Sequence, residues 1–121
     1  MKIVLAGAGA FGVKHLDAIK QIGGIDVVSV VGREMDATRD VARKYGVPHA
    51  TTDLADALGQ PGVEAAILAT PTQMHAAQAL QCLDAGKHVQ VEIPLADNWT
   101  DAEAVAARVR ETGLVAMVGR D

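Results

Sequence analysis

Short apolar runs alternate with longer stretches of mixed polarity along the whole chain. The runs Lys2 to Ala6, Asp26 to Val31, Pro48 to Ala50, Glu64 to Ala69, His88 to Val91 and Leu114 to Val118 are rich in Val, Ile, Leu and Ala, and most are nearly all apolar. A strand covered on both faces needs that composition, because neither face meets water. Between these runs, Gly12 to Ile22, Asp36 to Tyr45, Asp53 to Leu58, Gln73 to Ala85 and Thr100 to Thr112 carry apolar residues at helical spacing. Gly23, Gly46, Gly86 and Gly113 each follow a last periodic residue, where a left-handed C-terminal conformation costs glycine least. Asp53 is placed to cap the third helix. Asn98 or Thr100 caps the last, the latter with Glu103 three residues on as a capping box. Strand, helix, strand in this rhythm predicts right-handed βαβ crossovers. The expected result is an α/β fold: a doubly wound parallel sheet of about six strands in three αβα layers, ordered 3-2-1-4-5-6.

Composition narrows the partners. A chain of 121 residues is the size of one domain, so residues 1–121 are expected to share one core. Phe11, Tyr45 and Trp99 are its only aromatic residues, which leaves the core to small and branched aliphatics. A net charge of −4 with scattered Lys and Arg gives no basic stripe, arguing against nucleic acid or a membrane surface as partner. A small anionic ligand stays open. No apolar run approaches the ~20 residues of a bilayer span, and the single Cys82 can close no internal disulfide, so the chain reads as soluble and cytoplasmic. His15, His49, His75 and His88 stand at no recognised metal-ligand spacing, no Gly-x-Ser-x-Gly elbow occurs, and the alternating charges from Asp36 to Lys44 read as a solvated helix face. No metal is expected.

The first strand runs straight into Gly7-Ala8-Gly9-Ala10-Phe11-Gly12, which then opens a helix. That placement gives a G-x-G-x-x-G pattern its meaning: a helix N-terminus aims unpaired N–H groups at a phosphate. Gly7 permits the turn, Gly9 lets a pyrophosphate approach the backbone, and Gly12 allows the helix to pack closely. The pattern therefore predicts a Rossmann-type dinucleotide site, with Ala10 and Phe11 in its phosphate-binding turn. No Gly-Lys-Ser/Thr follows, so a Walker loop is excluded. An NAD-specific site usually carries Asp or Glu at the end of the second strand, on the ribose hydroxyls. Gly32 stands there instead, followed by Arg33, whose guanidinium suits a 2′-phosphate. NADP is thus favoured over NAD. The alternative is that Arg33 is a solvated strand-end residue and Glu34 reaches the ribose.

Two further loops follow strands at the edge where such folds bind ligands: Ala69-Thr70-Pro71-Thr72-Gln73-Met74-His75 after the fourth, and Glu92-Ile93-Pro94-Leu95-Ala96 after the fifth. Together with Gly7 to Gly12 and Ala85-Gly86-Lys87-His88-Val89, they resemble the glucose-fructose oxidoreductase/inositol dehydrogenase family over essentially the whole chain. Within it, Thr70 to His75 and Gln90 to Asp97 look most like a bacterial branch that serves the catabolism of lignin-derived aromatics. That branch passes hydride to NADP from the cyclic hemiacetal of a carboxylated semialdehyde, giving a lactone.

The resemblance implies that Gly7, Gly9, Ala10, Phe11, Gly12, Gly32, Arg33, Ala69, Thr70, Pro71, Thr72, His75 and Glu92 contact the cofactor. Family members usually have Glu-Lys-Pro where this chain has Glu92-Ile93-Pro94, the lysine lying near the nicotinamide. Ile93 can neither take a proton nor bind an anion, so the acid/base group is unassigned, with Glu92 and His75 as local candidates. His75 starts a helix, where packing or orienting a loop is the competing role. Family members also continue into a second domain that supplies substrate contacts and the subunit interface. The resemblance therefore implies a fragment: a cofactor half, inactive alone, from an enzyme that takes a small anionic carboxylated substrate and forms a homo-oligomer. A sugar or polyol dehydrogenase, or an NADP-binding sensor or scaffold without catalysis, remains the alternative.

Overall fold

The computed structural model describes residues 1–21, 23–92 and 98–119. In chain order the elements are β1 (Lys2–Ala6), α1 (Ala10–Ile19), β2 (Asp26–Val31), α2 (Met35–Tyr45), β3 (His49–Thr51), α3 (Leu54–Leu58), β4 (Val63–Leu68), α4 (Thr72–Asp84), β5 (His88–Glu92), α5 (Trp99–Thr112) and β6 (Ala116–Gly119). The six strands form one sheet in the order β3-β2-β1-β4-β5-β6, and every pairing is parallel. This is the expected doubly wound Rossmann arrangement.

Strand alternation divides the core between the two faces of the sheet. Val4 and Ala6 of β1 point to one side, where Leu54, Leu58, Ala79, Cys82, Leu83 and Val105 bring α3, α4 and α5 onto the sheet. Leu5 points to the other, against Leu16 of α1 and Ala42 of α2. Val4, Leu5 and Ala6 have no exposure at all, as a central strand covered on both faces requires.

Helix ends follow the glycines with one exception. Gly46 (φ 70) and Gly86 (φ 79) take left-handed conformations and close Schellman motifs, through Val47 N–H to the Ala42 carbonyl at 2.8 Å and Lys87 N–H to the Cys82 carbonyl at 2.9 Å. Gly113 caps α5 in the same conformation. The exception is Gly23. Helix α1 ends at Ile19 rather than Ile22; Gln21 N–H turns to the Ala18 carbonyl, three residues back, and Gly24 (φ 88) adopts the left-handed conformation. Neither Gly23 nor Gly24 is the cap of α1: Lys20 is, in a right-handed conformation, and the Met1 ammonium donates to the Gly24 carbonyl at 2.5 Å.

At the start of α5 the cap is Asn98. Its Oδ1 accepts from Asp101 N–H and its Nδ2 donates to the Asp101 carboxylate, both at 2.9 Å. Thr100 lies inside the helix, which sets aside the Thr100–Glu103 capping box. Asn98→Ala is expected to cost about 1 kcal/mol and lower the melting temperature by about 4 °C, whereas Thr100→Ala should move it far less. Thermal melts of the two variants check the assignment; equal shifts would contradict it.

Candidate functional site

Strand order reverses at β1: β2 and β3 extend to one side of it and β4, β5 and β6 to the other. The crossovers diverge there, and a crevice opens beyond the carboxyl ends of the strands. It holds a cavity of about 470 Å³, walled by the loops that leave β1, β2, β3 and β4. Backbone bonds carry the sheet ladder into these loops: Gly7 N–H to the Val31 carbonyl at 2.7 Å, Gly32 N–H to that of Thr51 at 3.0 Å, and Ala69 N–H to that of Ala6 at 2.8 Å. The loops are therefore fixed relative to one another before any ligand arrives.

The three glycines of the first loop act differently. Gly7 (φ 112) has a conformation that side chains avoid, and a Cβ there would run into the Ala69 carbonyl. A Cβ on Gly12 would collide with the carbonyl of Gly7, so this glycine lets α1 close down on the loop as much as on β1, where Leu5 Cδ2 is 3.8 Å away. Around Gly9 there is nothing within 4 Å. The protein itself does not need a glycine at that position, and the open space is what a pyrophosphate lying on the backbone would occupy.

Gly9 is also the N-cap of α1, with no side chain to cap it, and the helix's first internal bond, Val13 N–H to the Gly9 carbonyl at 3.0 Å, leaves the earlier N–H groups unpaired by the helix. Glu34 and Pro71, the N-caps of α2 and α4, likewise make no side-chain cap bond, and all three residues line the cavity. Three helix N-termini with their partial positive charge therefore meet at one cavity, a setting that favours an anion. Asp53 and Asn98, by contrast, cap α3 and α5 with their own side chains.

Of the residues expected from the sequence, Gly7, Gly9, Gly32, Arg33, Ala69, Thr70 and Pro71 line the cavity. Gly12 and Thr72 are not among the residues that line it, and Ala10 and Phe11 form the first turn of α1. Arg33 is exposed and enters none of the ion pairs among the described residues. His75 is only 2% exposed and does not line the cavity. Its Nε2 donates to the Thr70 carbonyl at 2.5 Å, since a carbonyl can only accept. Thr70 Oγ1 in turn donates to Gln78 Oε1 at 2.5 Å. Helix α4 thus grips the Thr70 loop through two side chains, and the geometry gives His75 a positioning role. Glu92 ends β5 at the same edge of the sheet. Ile93, Pro94, Leu95, Ala96 and Asp97 lie outside the described residues.

Met74, in the second of the loops expected at this edge, also lines the cavity; sequence reasoning missed Thr38 and Gln78, both of which line it. These two sit on helices, four residues past the N-cap of α2 and seven past that of α4, and only the docking of each helix brings them to the site.

Other chemistry is closed off locally. Ser29 Oγ and His49 Nδ1 share a hydrogen bond at 2.7 Å, and His49 Nε2 lies 3.3 Å from the Asp56 carboxylate. This is the composition of a hydrolase relay, but Ser29 has no exposure and no substrate carbonyl can reach it. Burial pushes the Cys82 thiol up to about 12, so it carries no thiolate near neutral pH. Among the described residues no helix is long and apolar enough to cross a membrane.

Known proteins agree with this geometry. The chain is 60% identical over 119 residues to the 4-carboxy-2-hydroxymuconate-6-semialdehyde dehydrogenase of Sphingobium sp. (strain NBRC 103272 / SYK-6), a match covering 98% of this chain and 38% of that protein. Thus it spans well under half the length of this relative. In three dimensions it superposes on an NAD binding oxidoreductase from Klebsiella pneumoniae with a TM-score of 0.92 at 27% identity, over 98% of this chain and 34% of that one. It also superposes on a biliverdin reductase from Synechocystis sp. PCC 6803, solved with biliverdin and NADP+, with a TM-score of 0.88 at 26% identity, over 97% of this chain and 37% of that one. Residues 1–120 match the oxidoreductase family with an NAD-binding Rossmann fold, and the chain belongs to that family, Gfo/Idh/MocA.

Proposed function

We propose that this chain is the cofactor half of an NADP-dependent dehydrogenase that oxidises the cyclic hemiacetal of 4-carboxy-2-hydroxymuconate semialdehyde to 2-pyrone-4,6-dicarboxylate. The observation that carries the cofactor part is the pairing of open space at Gly9 with exposed Arg33 on the rim of one cavity. The substrate part rests on the 60% identity to a dehydrogenase of that semialdehyde.

On this reading the residues divide by the part of the dinucleotide they hold. Gly9 and the first turn of α1 take the pyrophosphate, Arg33 takes the 2′-phosphate, and the Thr70-Pro71 loop positions the reactive end. Bound NADP supplies a hydride acceptor. Oxidation of the hemiacetal moves a hydride from its C–H carbon and a proton from its hydroxyl, leaving the lactone carbonyl. Ile93 cannot take that proton and His75 is committed to Thr70, so the base is Glu92 or a group of the substrate-binding part of the longer enzyme. That enzyme works in the cytoplasm as a homo-oligomer on a small carboxylated anion.

The test is to follow NADPH absorbance in the complete enzyme with the hemiacetal and, separately, with polyols. Turnover of the hemiacetal alone is expected. Polyol turnover would make it a sugar or polyol dehydrogenase, and tight NADP binding with no turnover would make it a sensor or scaffold. A second measurement addresses the 2′-phosphate. Removing a charge-assisted bidentate contact costs about 1.5–3 kcal/mol, so Arg33→Asp should raise the KM for NADP by roughly tenfold to a hundredfold. The KM for NAD should change little; an unchanged KM for NADP would contradict the assignment.

A further inference from the structure

Gly32 stands where an NAD-specific site would carry its acidic residue, and its own backbone gives no reason for glycine. Its φ lies outside the left-handed region, so an L side chain fits the local conformation. Space is what is missing. A Cβ built on Gly32 would strike the hydroxyl of Thr38, with Thr38 Cβ at 3.1 Å and Ala8 Cβ at 3.2 Å.

Thr38 is held in that place. It is 1% exposed, in the first turn of α2, and its Oγ1 donates to the Glu34 carbonyl at 2.6 Å. A buried hydroxyl that loses such a bond is costly, so the rotamer that fills the space above Gly32 is the one the helix enforces. The same bond anchors Glu34, the residue after Arg33, at the rim of the cavity that Thr38 itself lines.

The geometry points to Thr38 as a specificity-determining residue for the dinucleotide: its hydroxyl occupies the volume a ribose-reading carboxylate at position 32 would need. The residue that shuts out that carboxylate is thus six positions away, on the next helix. This rests on the NADP reading above, but the steric relation between positions 32 and 38 can be measured without any cofactor.

The test is a double-mutant cycle on this chain, read by thermal melts and by calorimetric titration with NADP and with NAD. Gly32→Ala alone should lower the melting temperature, and the same change in a Thr38→Ala background should lower it markedly less. Additive shifts would overturn the proposal, as would a Gly32→Ala/Thr38→Ala chain that fails to fold while Thr38→Ala folds. For binding, Gly32→Asp/Thr38→Ala should bind NAD about tenfold more tightly than Gly32→Asp, with NADP binding weakened by about tenfold relative to Thr38→Ala. If Gly32→Asp alone gains NAD affinity as fully as the double variant, Thr38 does not gate the position and the proposal falls. If instead the unmutated chain prefers NAD while the two positions still couple in the melts, the NADP reading fails and the gate stands.

Discussion

Alanine at Gly12 is expected to destabilise the domain by about 3 kcal/mol and lower its melting temperature by about 10 °C or more. Two effects oppose each other at this site. Alanine favours a helix interior over glycine by about 1 kcal/mol, which by itself predicts a more stable protein. Against it, the new methyl would sit on the Gly7 carbonyl, a backbone atom that no rotamer change can move. To make room, α1 must lift from the loop or the loop from β1, and either motion breaks the bond from Gly7 N–H to the Val31 carbonyl or loosens Leu16 from the core around Leu5. The clash should win by a wide margin. A thermal melt of Gly12→Ala decides it: a melting temperature equal to or above that of the parent chain would mean that α1 does not close on this loop.

Gly9→Ala should do the reverse, removing cofactor binding while sparing the fold. Nothing lies within 4 Å of the new methyl, and φ −80, ψ −164 is ordinary extended backbone for alanine. The stability cost is that of a poorer N-cap, about 1 kcal/mol at most. A pyrophosphate in contact with the backbone has no such freedom, because the methyl stands between it and the N–H groups of the first turn of α1. A loss of about 100-fold in affinity, or about 2.7 kcal/mol, is the expected outcome for NADP and NAD alike, since both share the pyrophosphate. Calorimetric titration beside a thermal melt reads both halves. Parental affinity in a folded Gly9→Ala chain would place the pyrophosphate elsewhere. The contrast between the two glycines is the sharper result, since one pattern contains both and only their surroundings separate them.

Much of this was legible in the order of residues. The strand runs lie within one or two residues of their observed positions, the sheet order is the expected one, and Gly46, Gly86 and Gly113 close their helices. These features depend on periodicity and on single-residue backbone preferences, which act between near neighbours. The departures are local: α1 closes at Lys20, before Gly23, and Asn98 rather than Thr100 caps α5. Asn98 and Thr100 both suit the capping role, and a contact decides between them: the Asp101 pair on Asn98.

The site divides along the same line. Sequence alone determined a parallel α/β sheet, a glycine loop between its first strand and first helix, and a set of loops at one edge, because strand polarity and the right-handed crossover leave few other arrangements. It assigned a role to each glycine of the loop but not the atoms that impose it. Only the tertiary structure decided that Gly12 answers to the Gly7 carbonyl, that Gly9 faces open space, and that Gly32 is small because the Thr38 hydroxyl fills the place of its side chain. Likewise, His75 became a clamp on Thr70 once α4 was docked against the loop. The physical reason is common to all four: van der Waals exclusion and hydrogen bonding act over a few ångströms of space, and the atoms that meet here belong to elements that folding brings together.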